Sequence, residues 1–350
     1  MKKFIVVLLI GGLLSGTGFG YGPRGHALVG AIADKRIAKS NNSTVKANLK
    51  TLLDGLTLQQ AATLPDSIKT WDKNPNGFHV AGHPSIEAQL RAFVKANPAG
   101  GHPSHHDFHF TDVPVLGDES YAPGDVGRSD FDIVHMIPFC IRVLKGEEPE
   151  TNDRAITKAI AVILLTHYLG DIHQPLHVGA EYFDGQGNLL EPTTANPGFA
   201  DQGGNKLTVF TFVKGKLKSA GKFHGYWDSQ TVTNAFGDFA DPKKQAIADS
   251  KSAQQLANKE PANWKLTTPV ENWAEDMANE IMPMAREAHD RLNFTKIKST
   301  PGERDITSGR GEEKKKSSGK FYATWARDTV KKEIHKAGWR LAALLEEVLQ

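Results

Sequence analysis

A mainly α-helical, single-domain fold with one small β-hairpin is what this 350-residue sequence predicts. Three observations carry that expectation. Apolar residues recur at three- and four-residue spacing along most of the chain, the signature of one-sided helices. Only Lys206 to Val213 reads clearly as a strand, followed by a Lys214-Gly215 turn and a short return. Histidines and aspartates suited to one common site are scattered from His26 to Asp228, which favours a single domain over two.

The N-terminus reads as a secretory signal. Lys2 and Lys3 supply the charged start, and Phe4 to Leu14 an apolar stretch of 11 residues, too short to span a bilayer. Ser15 to Gly20 is a small-residue tail interrupted by Phe19. Cleavage after Gly20 makes Tyr21 the mature N-terminus; cleavage after Gly18 is the competing choice. No lipobox cysteine follows. The expected product is therefore residues 21–350, exported to the periplasm or secreted, with no membrane anchor.

The first helix follows Gly25-His26, with Leu28, Val29, Ile32 and Ile37 on one face. Further helices are expected over residues 45–54, 85–96, 130–145, 152–173, 244–258, 269–292 and 322–349. The last has the clearest stripe, built from Trp325, Val330, Ile334, Ala337, Leu341, Leu344 and Val348. Residues 73–107 and 184–204 are rich in Pro, Gly and Asn and read as surface insertions. Residues 295–320 read as a flexible loop, with Lys314-Lys315-Lys316 as solvated surface.

Composition excludes several classes. Lysine and arginine total 42 against 40 acids, and residues 1–20 hold two of those lysines and no acid, so the exported chain is neutral at 40 against 40. Bulk charge does not make it a polyanion binder. Cys140 is the one cysteine, inside Ile137-Pro138-Phe139-Cys140-Ile141. It reads as a core residue, and no internal disulfide is possible. A chain this long can bury a core without staples. A monomer is the expected state.

The most informative segment runs from Thr166 to His177. It closes the apolar run Ala159–Leu165, behind an expected N-cap at Asn152 or Asp153. His167 and Asp171 lie four apart and share a helix face. Pro175 stops the helix and brings His177 round on the turn. Two imidazoles and a carboxylate at one helix end suit zinc. The competing reading is a satisfied core histidine beside a helix-end carboxylate. Four other segments offer the same ligand types: Gly25-His26, Asp66 in Leu64-Pro65-Asp66, His109 between Phe108 and Phe110, and the i, i+4 pair His224 and Asp228.

Taken together, these motifs resemble the zinc-dependent single-strand nucleases of the S1/P1 family. Tyr21-Gly22-Pro23-Arg24-Gly25-His26 is similar to the family's opening Trp-Gly-x-x-Gly-His. His167, Asp171 and Gln174-Pro175-Leu176-His177 resemble its central motif. Gly203-Gly204-Asn205-Lys206, the pair His224 and Asp228, and Gly338-Trp339-Arg340-Leu341-Ala342 complete the likeness, which spans most of residues 21–349. The implied fold is the helical fold shared with zinc phospholipase C. The leading aromatic is tyrosine where the family has tryptophan, and the cysteine pairs of fungal members are absent.

The resemblance implies three zinc ions. One is held by Asp66, His109, His167 and Asp171. A second is held by the α-amine and carbonyl of Tyr21, by His26, and by Asp171 as a bridge. The third is held by His177, His224 and Asp228. An α-amine has a reference pKa of ~7.7–8.0 and deprotonates readily, so it can ligate a metal. The implied activity is endonuclease hydrolysis of single-stranded DNA and RNA to 5′-phosphates, with 3′-nucleotidase activity as an extension. Asp66 is the implied catalytic carboxylate, orienting the water that attacks phosphorus.

Phe110 reads as a base-stacking platform on the face opposite His109, or else as core. Asp112 reads as a hydrogen-bond partner for a base edge. Asn205 and Lys206 read as phosphate contacts, or, for Lys206, as a turn entering the strand. Lys69 is a weaker phosphate candidate. His79, His83, His102, His105 and His106 read as surface-loop residues rather than a further metal site, and His135, His289 and His335 as structural. Two other functions compete: a zinc phospholipase C-like phosphodiesterase, and a non-enzymatic exported zinc-binding protein.

Overall fold

The computed structural model describes residues 21–117, 120–121, 126–213, 216–308 and 319–350. The expected signal at residues 1–20, the Lys214-Gly215 turn and the Lys314–Lys316 run lie outside the described residues.

The expected fold class holds: helices dominate and strands are few. At the centre lies the helix Lys158–Asp171, in which every residue from Ala159 to Asp171 is buried. A helix apolar all round has no solvent face and must be enclosed. The helices Gly22–Lys39, Ile133–Lys145 and Tyr322–Val348 enclose it, and Trp273–Asp290 backs Ile133–Lys145. Gly338 permits the close approach of the first and last helices, because a Cβ there would lie 2.5 Å from Ile32 Cβ. Cys140 is buried in the core as expected.

The central helix begins later than its apolar pattern suggested. Thr157, not Asn152 or Asp153, is the N-cap, accepting from the Ile160 amide. The Asn152 side chain instead accepts from the amides of Arg154 and Ile156 and folds a turn. Ala155 sits at φ 52°, a left-handed conformation that cannot continue into a helix.

The hairpin of Leu207–Val213 and Lys216–Lys222 is present but is half of a larger sheet. Its strand order is Lys216–Lys222, Leu207–Val213, Arg304–Ser308, Leu292–Ile297. Leu207 pairs in parallel with Arg304, and Leu292 pairs antiparallel with Ser308. The loop expected over 295–320 is thus corrected for its first part; residues 309–318 lie outside the described residues. These strands escaped notice because they bury little. Ile306 points inward, while Lys296, Lys298 and Arg304 read as solvated, and Lys298 pairs with Asp305 at 2.9 Å.

A shorter ladder does more for the site. Val113–Pro114 runs parallel to Gly179–Ala180, and the Thr111 amide donates to the His177 carbonyl at 2.9 Å. The chain just after His109 is thereby clamped to the chain just after His177. Among the described residues no helix is long and apolar enough to cross a membrane.

Candidate metal centre

Each candidate ligand sits near an element end, where backbone direction changes and a side chain can aim inward. His26 lies in the first turn of Gly22–Lys39, Asp66 on the single turn Leu64–Ser67, and His109 ends the turn Asp107–His109. Asp171 ends the central helix, His167 lies one turn before it, and His177 ends the turn Pro175–His177. His224 precedes the π-helical turn Tyr226–Gln230 and Asp228 lies within it, a distortion often found at functional sites.

These side chains converge on Asp171, and its two oxygens face different partners. Oδ1 lies 3.2 Å from His26 Nε2, while Oδ2 lies 2.9 Å from His109 Nδ1 and 3.1 Å from His167 Nε2. Asp66 Oδ1 is 3.7 Å from His167 Nε2 and 2.9 Å from Lys69 Nζ. His224 Nε2 is 3.2 Å from Asp228 Oδ2. Three groups place ligand atoms within 4.8 Å of one another: His26, His167 and Asp171; Asp66, His109 and His167; and His177, His224 and Asp228.

Backbone carbonyls fix the ring orientations. His167 Nδ1 lies 2.7 Å from the Ala62 carbonyl, His177 Nδ1 2.8 Å from that of His109, and His224 Nδ1 2.7 Å from that of Gly203. A carbonyl only accepts, so each Nδ1 carries the proton and each Nε2 turns its lone pair to the centre, the usual support of a metal-ligating histidine. Gly203, at φ 56°, makes the third carbonyl available; a Cβ there would stand 2.1 Å from the Leu176 carbonyl oxygen. The Gly-Gly-Asn-Lys motif therefore seats His224.

The donor set fits a cation cluster. Both ring nitrogens of His26, Asp66 Oδ2, Asp171 Oδ1, His177 Nε2 and His224 Nε2 are buried without a hydrogen-bond partner. Buried polar atoms left unpaired are costly, and these belong to side chains of the three converging groups. Burial pushes His26, His109 and His177 down, and His224 down to about 3, with its neighbour His177 adding to the effect. Neutral imidazole is the form that binds metal. Against the cost of burial, Lys69 and the surrounding rings hold Asp66 below the usual carboxylate range, and His167 leads those that hold Asp171 down. Burial, reinforced by Asp171 and Asp66, pushes Asp228 well up. A nearby cation reverses that penalty.

Tyr21 lies at the head of the first helix, wholly buried, with its hydroxyl donating to the His173 carbonyl. Its own carbonyl accepts from the Gly25 amide at 3.2 Å. A Cβ on Gly25 would stand 2.3 Å from Tyr21 Cβ, so the glycine gives the tyrosine its seat. The Tyr21–Gly22 backbone abuts Asp228: a Cβ on Gly22 would lie 3.1 Å from the Asp228 carbonyl oxygen.

Above the ligands opens a cavity of about 350 Å³. His109, His177 and His224 form part of its wall, with Lys69, Phe110, Asp112, Asn205, Gln202, Leu176 and His106. Phe110 and His109 face the same cavity, not opposite sides, because the turn at Asp107–His109 breaks strand alternation before Phe110 becomes extended. Burial, together with the charge of Asp201, pushes the Asp112 carboxyl up to about 7. Asn205 lines the cavity and donates to the Gln202 carbonyl. Lys206 is not part of the lining; its Nζ lies 3.4 Å from the Pro301 carbonyl.

Sequence reasoning gave no role to Gln174, which donates to Asp228 Oδ1 at 2.9 Å and accepts from the Leu176 amide. The motif Gln-Pro-Leu-His held that signal. His173 is structural: it donates from Nδ1 to the Leu169 carbonyl and accepts from Arg340 at 2.9 Å. His135, His289 and His335 likewise pair with Asp132, Asp201 and the carbonyls of Leu256 and Lys259.

A helical shell around buried, carbonyl-oriented imidazoles and carboxylates, opening to a cavity, defines the class: a candidate metal-centred enzyme. Residues 21–350 match the model of the family described as S1/P1 Nuclease, and the chain belongs to that family. It is 24% identical over 192 residues to Endonuclease 4 of Arabidopsis thaliana, a stretch covering 54% of this chain and 50% of that protein. The chain thus spans about half the length of the curated relative it matches.

Proposed function

We propose that this chain is an exported, zinc-dependent endonuclease. It hydrolyses phosphodiester bonds of single-stranded DNA and RNA, leaves 5′-phosphates and accepts 3′-nucleotides as further substrates. Family membership and the likeness to an endonuclease support the reaction class. The observation that carries the reading is Asp171, whose two oxygens face separate imidazole groups at 2.9–3.2 Å beneath an open cavity.

Three zinc ions would be held by Asp66, His109, His167 and Asp171; by His26, Asp171 and the Tyr21 main chain; and by His177, His224 and Asp228. When bound, they supply Lewis acidity toward phosphate and activate water at neutral pH. The chain's own residues do the positioning. Lys69 pins Asp66 Oδ1, leaving Oδ2 without a protein partner to accept a hydrogen bond from the attacking water. Gln174 fixes Asp228 in the same way. Phe110, half-buried on the cavity wall, stacks one base, a contact of ~1–3 kcal/mol with little sequence preference. Asp112 meets that base's edge. Duplex bases are already stacked on each other, so the pocket favours single strands. Export follows from the apolar stretch Phe4–Leu14 and leaves Tyr21 as the new N-terminus.

The test is incubation of the purified chain with single-stranded DNA, the matching duplex, RNA and lecithin, with and without chelator. Faster cleavage of single strands, 5′-phosphate ends, and loss of activity on chelation with recovery in zinc are expected. Phosphocholine release without nucleotide release would assign a phospholipase C-like activity instead. Tight zinc binding with no hydrolysis would leave only a zinc-binding protein.

A further inference from the structure

Among the described residues, a fourth group of metal-ligating side chains converges outside the buried centre: Asp72, His105 and His106. It is built from the same two segments that serve the centre. Asp72 ends the turn Ile68–Asp72, which directly follows Asp66, and His105 and His106 immediately precede Asp107–His109. Packing these segments together to join Asp66 with His109 also brings the more distal residues together.

The two oxygens of Asp72 each face one ring. His106 Nε2 lies 2.6 Å from Oδ2, and His105 Nε2 lies 3.5 Å from Oδ1. The ring centroids are 4.5 Å apart. Two imidazoles and one carboxylate, with ligand atoms all within 4.8 Å, form the donor set that binds zinc and leaves a fourth position open. His105 is 1% exposed, and its Nδ1 has no hydrogen-bond partner, so the ring is buried for something other than a complete hydrogen-bond network. His106 also lines the cavity and is about one-third exposed, leaving room for water or an anionic oxygen.

We propose that Asp72, His105 and His106 bind a divalent cation of the zinc type at the rim of the cavity, as a peripheral site separate from the buried centre. A cation there adds positive charge at the entrance of a chain with no net basic surface, where a substrate phosphate outside the cleavage position passes.

The test counts zinc. The full chain is stripped with chelator, equilibrated with zinc and freed of excess, and bound metal is measured by mass spectrometry. His106→Gln and Asp72→Asn are each expected to carry one zinc per chain fewer than the parent, with unchanged circular dichroism. His79→Gln, which removes an exposed histidine paired with Glu87, is expected to keep the parent count. Equal counts in the parent, His106→Gln and Asp72→Asn overturn the proposal. His224→Gln separates this site from the inner centre: if its count is unchanged while that of His106→Gln falls, the inner reading fails and the rim site stands.

Discussion

Gly170 lies beneath His26, and replacing it by alanine probes the centre without removing any ligand. A Cβ at position 170 would stand 2.7 Å from His26 Nδ1 and 3.1 Å from Cε1. Carbon contacts settle near ~3.5–4 Å, so the ring must retreat by roughly 1 Å. Its movement is restricted, since the ring is stacked on His167 at 3.7 Å between centroids. Overpacking of this kind costs about 1–3 kcal/mol, and exchanging glycine for alanine inside a helix returns up to ~1 kcal/mol. The metal-free fold therefore loses only ~0–2 kcal/mol, a melting shift of a few degrees. Displacing a ligand by ~1 Å at a reacting centre costs on the order of 100-fold in rate, or ~2.7 kcal/mol. Gly170→Ala is expected to fold, to hold zinc less tightly, and to lose roughly two orders of magnitude in kcat/KM on a single-stranded oligonucleotide. Parent-like zinc content and kcat/KM would show that His26 plays no part in the centre.

Asp66→Asn keeps shape but weakens the acceptor at Oδ2; a ~10²–10⁴-fold fall in hydrolysis with a near-parent melting temperature is expected, and full activity would remove Asp66 from the mechanism. The Asp112 carboxyl, at about 7, donates a hydrogen bond below that pH and only accepts above it. Base preference measured at about pH 6 and about pH 8 is therefore expected to change in the parent and stay constant in Asp112→Asn. Against the cost of burial, Asp201 at 3.1 Å pushes His289 up to about 9. The folded value exceeds the unfolded ~6.5, so this stabilisation is complete below that pH and lost as pH rises through about 9, amounting to ~3 kcal/mol. Unfolding measured across that window is expected to lose this slope in Asp201→Asn; an unchanged slope would place the titrating group elsewhere.

Helices announced themselves wherever one face was apolar, as in Tyr322–Val348, because burial there sets the period. Their starts were harder to read: nothing distinguishes the Asn152 side chain as a turn former from the same side chain as a cap until Thr157 is seen in the cap position. The strands Leu292–Ile297 and Arg304–Ser308 stayed hidden because their stability comes from pairing with each other and, for Arg304–Ser308, with Leu207–Val213, not from an alternating apolar face. At the centre the ligand types were legible, since His and Asp at helical spacing are chemically conspicuous. The carbonyls of Ala62, His109 and Gly203 were not, because every residue has one and only the fold selects which faces an imidazole. Asp72 with His105 and His106 is the same lesson: the residues are 33 and 34 positions apart, and only tertiary packing joins them.

Anomalous diffraction at the zinc edge from crystals of the active, exported chain addresses the inner centre most directly. Three peaks are expected around Asp171: one near Asp66, His109 and His167, one beside His26 and the Tyr21 main chain, and one between His177, His224 and Asp228. Fully active crystals with no anomalous density at any of these positions would contradict a metal-centred nuclease.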